Sequence, residues 1–164
     1  MMCTKGVGAR LAVVVFALST WSALPAHAAG ESFIDGLAAY DAGDVAETVR
    51  IWRALAEAGD INAQVGLAGL HLAGSGVPHD PAKAARLYRL AAEQGDSNGQ
   101  LNLGRLYLDG VGVERDPAAA YAWLSLAARQ GRRWAKEQSL AIEPTLSKAQ
   151  RVEAEALVTD IESR

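Results

Sequence analysis

Residues 103–131 read LGRLYLDGVGVERDPAAAYAWLSLAARQG, and residues 67–95 read LAGLHLAGSGVPHDPAKAARLYRLAAEQG. The two stretches are the same pattern displaced by 36 positions. Leu67 returns as Leu103, Gly74 as Gly110, and Gly76-Val77 as Gly112-Val113. Asp80-Pro81 returns as Asp116-Pro117. Working outward, Ala56 recurs as Ala92 and Ala128, and Gly59 as Gly95 and Gly131. The pairs Ile51-Trp52, Leu87-Tyr88 and Trp123-Leu124 keep the same register. A fixed period of this size marks a solenoid, in which each unit buries its apolar face only by stacking on a neighbour.

Each unit reads as two helices. The first opens after Asp60 or Asp96-Ser97 and stops at Gly74 or Gly110. The second begins with Asp80 or Asp116 as N-cap and Pro81 or Pro117 at the first helical position. An aspartate there accepts from orphan N–H groups, and proline loses no bond by lacking its own. Gly95 and Gly131 suit the left-handed position after a helix end. Ala63, Leu67, Ala68 and Leu70 share one face of a first helix, and Ala85, Tyr88, Ala91 and Ala92 one face of a second. Alanine faces let helices approach closely while the larger side chains fill the gaps.

These residues resemble the Sel-1-like repeat (SLR) family, relatives of the tetratricopeptide repeat. Residues 97–131 carry the pattern through Leu103, Gly104, Tyr107, Gly110, Gly112, Val113, Asp116, Ala120, Ala127, Ala128 and Gly131. Residues 61–96 carry it with Ala68 in the glycine slot and His71 in the tyrosine slot. Residues 31–60 resemble a degenerate unit with a loop five residues shorter. The resemblance implies an all-α fold, a short right-handed α-α superhelix of helix pairs.

The ends differ from the repeats. Lys5 and Arg10 precede an apolar run, Leu11–Leu18, and Ala26-His27-Ala28 ends in a small-x-small pattern. That is the layout of a secretory signal peptide over residues 1–28. The apolar stretch to Leu24 is too short for a spanning helix, which needs about 20 apolar residues. Periplasmic or secreted localisation is therefore expected, with no integral membrane segment after cleavage. Residues 29–164 form one helical-repeat domain. Its last part, 132–164, reads as a cap: a helix over Arg132–Glu143 ended by Pro144, then a capping box at Ser147–Gln150 opening a helix to about Glu162. Cleavage removes Lys5 and Arg10 and takes the net charge from −3 to −5. An acidic chain has no general affinity for nucleic acid. The only cysteine, Cys3, lies in the leader, which excludes a mature disulfide or thiol nucleophile.

The chemistry-bearing residues are sparse. His71 sits in the tyrosine slot and reads as a packing residue, and His79 as a solvated loop residue. Gly74-Ser75-Gly76 lacks the nucleophile-elbow pattern, and no Gly-x-Gly continues into Lys-Ser/Thr. No catalytic, metal or cofactor site is expected, and the protein reads as a non-enzyme. A small envelope hydrolase acting on cell-wall or antibiotic substrates and a self-assembling scaffold stand as alternatives.

Repeats of this kind line a concave groove with their first helices. The expected partner-binding residues are Asn62, Val65, Asn98, Leu101, Asn102, Arg105 and Leu108, with Gly66, Gly69 and Leu72 beside them. Asn amides bond an extended backbone, and Arg105 can hold a carboxylate. Gly66 and Gly69 read as a shallow, uncrowded stretch. An alternative convex patch is Ala119, Ala122 and Ser125, which replace Lys83, Arg86 and Arg89 of the previous unit. Burial by the chain's own tail is the preferred reading of that patch. Arg129, Arg132, Arg133 and Lys136 surround Trp134 and read as a solvated helix end with the indole in the core, rather than as a docking surface for an anionic polymer. The expected partner is a protein or peptide, and the chain is expected to be a monomer.

Overall fold

The computed structural model describes residues 30–163, so the expected leader, residues 1–28, lies outside them. The described residues form eight α-helices and no strand: α1 (Phe33–Asp41), α2 (Val45–Glu57), α3 (Ile61–Ala73), α4 (Pro81–Glu93), α5 (Ser97–Asp109), α6 (Pro117–Arg129), α7 (Arg133–Ile142) and α8 (Lys148–Glu162). Each helix from α1 to α6 packs on the next, and α8 returns onto α6. The result is a solenoid of helix pairs, α1–α2, α3–α4 and α5–α6.

The helices start where their aspartates can cap them. Asp44, Asp60, Asp80, Asp96 and Asp116 each turn a carboxylate oxygen to a first-turn N–H. Pro81 and Pro117 occupy the opening turns of α4 and α6. Gly110 closes α5 in the left-handed conformation. Gly112 does more than turn the chain. Its φ is +70°, and a Cβ there would lie 2.2 Å from the Pro81 carbonyl oxygen. The loop of one unit thus rests on the start of the preceding unit's second helix. The turn between α1 and α2 runs over residues 42–44 only, against 74–80 in the next pair, a difference of four residues rather than the expected five.

Buried glutamines tie the layers together. Gln64 of α3 donates to the Ala56 carbonyl at the end of α2 (3.4 Å) and accepts from the Gln94 amide after α4 (2.9 Å). One period later Gln100 donates to Ala92 (3.4 Å) and accepts from Gln130 (2.9 Å). Gln130 also donates to the Gly95 carbonyl at 2.9 Å. Apolar clusters fill the rest. Trp52, Leu67 and Leu70 centre one, Tyr88, Leu103 and Trp123 a second, and Leu124, Ala135 and Ile142 a third.

The cap departs from expectation in one detail. Pro144 lies inside a 3-10 turn, Glu143–Thr145, that continues directly from α7. The Ser147–Gln150 capping box is formed and opens α8. Among the described residues no helix is long and apolar enough to cross a membrane.

The Gly112 contact separates two costs. Gly95 has φ +88° and open space around a Cβ, so Gly95→Ala should lose about 1 kcal/mol from backbone strain alone. Gly112→Ala adds the clash with Pro81 and should lose about 3 kcal/mol or more. Urea denaturation of the two variants checks this, and equal losses would refute the inter-unit contact.

Candidate partner-binding surface

The polar residues of the expected groove lie on the first helices. Asn62 opens α3, and Asn98 and Arg105 are exposed on α5. Asn102, half-buried, donates from its amide to the Asn98 carbonyl at 2.9 Å, one helical turn back. The apolar members behave differently. Leu101 and Leu108 pack against the cluster of Ala120, Leu124 and Ala135, and Val65 and Leu72 against that of Tyr88 and Leu103. These four are half-buried flanks of the core more than groove lining.

Gly66 is not open space. A Cβ there would lie 2.8 Å from the Trp52 ring, so the glycine is required by the indole beneath it. Gly69 does leave room, since its Cβ would meet only the Tyr88 hydroxyl, at 3.9 Å. Tyr88 was assigned to the core by its period, and its ring is buried. Its length carries the phenol up beside Gly69. Burial raises the Tyr88 pKa, and the nearby Arg105 charge pulls it partly back. Of the expected residues, Asn62, Asn98 and Arg105 are exposed and Asn102 is half-buried on α3 and α5, and the Tyr88 hydroxyl lies beside Gly69. The signal that would have found Tyr88 is the pair of Gly69 on α3 and a long polar-tipped side chain on α4.

The alternative convex patch is not a free surface. Ala122 is fully buried and Ala119 and Ser125 are half-buried. Ala118, Ala122 and Leu126 of α6 share a cluster with Ala154 and Val158 of α8. Arg129 pairs with Glu162, so α8 runs along α6 from start to end. The small side chains of α6 are a seat for the chain's own tail.

The cations beside Trp134 are largely engaged. Arg132 donates to Ser97 at 2.8 Å, Arg133 pairs with Glu137 at 2.9 Å, and Arg129 holds Glu162. Trp134 itself is exposed rather than in the core, because Ala135, Ser139 and Ile142 form the buried face of α7.

Neither histidine faces a metal-like set. No group of three or more His, Asp or Glu among the described residues could hold a metal ion. His79 places Nδ1 2.8 Å from the Leu72 carbonyl. Arg115, one period later, donates to the Leu108 carbonyl at 3.1 Å. Both latch the loop to the end of a first helix. His71 is buried, with Nδ1 3.3 Å from the Pro78 carbonyl and Nε2 without a partner among the described residues.

The helix pairs and their loops define a helical-repeat solenoid protein. The Sel1 repeat profile matches residues 61–96 and 97–131, and the chain belongs with the Sel1-repeat proteins of SLR fold. A protective antigen of uropathogenic Escherichia coli displaying an SLR fold is 33% identical, with a TM-score of 0.72 over 79% of this chain. A Sel1 repeat protein from Oxalobacter formigenes is 27% identical, with a TM-score of 0.62 over 66% of this chain. The matched regions span 28% and 44% of those two proteins. No curated protein matches the chain.

His71 makes stability depend on pH. Burial is the largest cause of its lowered pKa, and Lys83 and Arg53 act in the same direction, against the Pro78 bond and Asp80. The unfolded chain therefore takes up the proton first. Its contribution is complete above the ordinary histidine range near pH 6.5 and is lost as pH falls below it. The urea midpoint should drop between pH 7 and 5, and His71→Tyr, the residue of the next unit, should flatten that drop. An unchanged slope in the variant would exclude His71 as the cause.

Proposed function

We propose that the protein is a non-enzymatic adaptor of the bacterial periplasm or envelope that holds a peptide or protein partner along its first-helix groove. Sel1-repeat proteins are typically protein–protein interaction modules. What supports the reading is that Asn62, Asn98, Asn102 and Arg105 all sit on the first helices α3 and α5, which are held by their own caps and loops. Side-chain amides can bond an extended backbone, and a guanidinium can hold a carboxylate. A preformed surface lowers the ordering cost of binding. The exported location rests on the leader-like residues 1–28.

A photocrosslinking residue at Asn102, in the full chain expressed in its own host, should capture one heterologous protein. Arg105→Glu should weaken that capture about tenfold, in line with loss of one charged hydrogen bond. Absence of any adduct from Asn102 and from Asn62, in exported protein, would overturn the groove.

A further inference from the structure

The chain displays one way of using its outer face, and the preceding unit repeats the geometry without the occupant. On α6 the outward stripe is Ala118, Ala122, Ser125, Leu126 and Arg129, and α8 covers it. The same register on α4 is Ala82, Arg86, Arg89, Leu90 and Glu93. The two ends of the apolar seat are unchanged in kind: alanine at 82 and 118, leucine at 90 and 126. Leu126 is 5% exposed, whereas Leu90 is 47% exposed. Between them, Ala122 and Ser125 are replaced by arginines.

The uncovered stripe is a groove, not a flat helix side. Ala82, Ala85, Leu90 and Val113 line an apolar hollow of about 380 Å³ that Arg86 and Arg89 border. It meets a second hollow of about 600 Å³ at Arg89 and Val113, lined also by Arg115 and by Gln150 at the start of α8. Three arginines thus border the two hollows, against Glu114 and Asp116. Asp116 is committed to the N–H groups of Ala118 and Ala119. Arg89 lies over the Tyr107 ring, 5.8 Å from its centroid, and donates to the Tyr107 hydroxyl, which holds it at the mouth of the groove. The stripe of α2 is similar, with Arg50 and Arg53, but Arg50 is already paired with Glu31 and Glu47, and Ala54 stands where α4 has Leu90.

We infer that the outer face of α4 is a docking site for an acidic amphipathic helix of a partner protein, lying beside α8 and extending its layer. The charge pattern sets the ligand. Acidic side chains in the middle of the helix face Arg86 and Arg89, alanine and leucine face Ala82 and Leu90, and a cation near the far end faces Glu93. That last pair is the reverse of Arg129 with Glu162. This surface is separate from the first-helix groove, and the two are tested separately.

The probe is a fluorescein-labelled 18-residue helical peptide with Ala and Leu along one face, two Glu at its centre and one Lys near its end. A second peptide has Lys in place of both Glu. Fluorescence anisotropy with the full chain should show the acidic peptide binding at least about tenfold more tightly than the basic one. Arg86→Glu and, separately, Leu90→Lys should each weaken it about tenfold, while Arg105→Glu leaves it unchanged. Arg86 and Leu90 are exposed, so both variants should keep the parent's circular dichroism and melting curve. Equal binding of the two peptides, no binding up to about 1 mM, or indifference to Arg86→Glu overturns the inference. So does a chain that dimerises alone and loses the dimer with Arg86→Glu, which would give the stripe to a second copy.

Discussion

The stack depends on buried amide pairs that join three consecutive helices. Gln64 and Gln100 sit at the same place in successive units, each 3% exposed. Each touches the helix before it through a carbonyl and the helix after it through a second glutamine. A buried amide without partners costs about 1–3 kcal/mol, so these side chains penalise any packing that slides one helix along another. Alanine faces alone would tolerate such a slide, because small side chains offer few distinct knobs. The polar pairs thus set the register that the alanines make close. The next equivalent of Gln100 is Lys136, which is exposed. There the pattern of amide pairs stops, and α7 and α8 leave the repeat geometry.

Size complementarity does the rest of the positioning. Trp52 lies between Gly36 of α1 and Gly66 of α3, where Cβ atoms would come within 2.3 and 2.8 Å of the indole. Phe33 stacks on the same ring at 5.1 Å. Leu124 stands one unit further along from Tyr88, and a Cβ at Gly104 of α5 would come within 2.7 Å of it. Trp52 and Leu124, at corresponding places on second helices, are each answered by a glycine on a first helix that a Cβ would block.

This explains what could be read in the chain and what could not. Caps and turns are local chemistry, so Asp80-Pro81, Asp116-Pro117, Gly110 and Ser147–Gln150 announced their elements directly. Gly66 was misread because the same residue serves an open groove or a crowded one, and only the position of Trp52 decides. Val65, Leu101 and Leu108 have the spacing of a groove face and the chemistry of a core, and the neighbouring second helices drew them inward. The glutamine pairs were visible as a repeat at 36 positions. Their recurrence alone does not announce a buried amide, because glutamine on a helix is ordinarily a solvated residue.

The burial of Ala122 shows how a repeat changes role at small cost in sequence. Helices α4 and α6 are each 13 residues long, with an aspartate N-cap and an opening proline. Arginine at 86 and 89 keeps the face of α4 wet, since burying two unpaired guanidiniums is far more costly than burying an alanine and a serine. Alanine at 122 and serine at 125 let a helix come down on α6 to core distance. The chain's tail is held there by apolar contact and by one surface ion pair of small worth, Arg129 with Glu162. A ligand for α4 must instead bring its own negative charge, because apolar contact with Ala82 and Leu90 alone would leave the arginines desolvated. Three differences along the stripe, at 86/122, 89/125 and 93/129, therefore distinguish the face that closes on the protein's own tail from the face of α4.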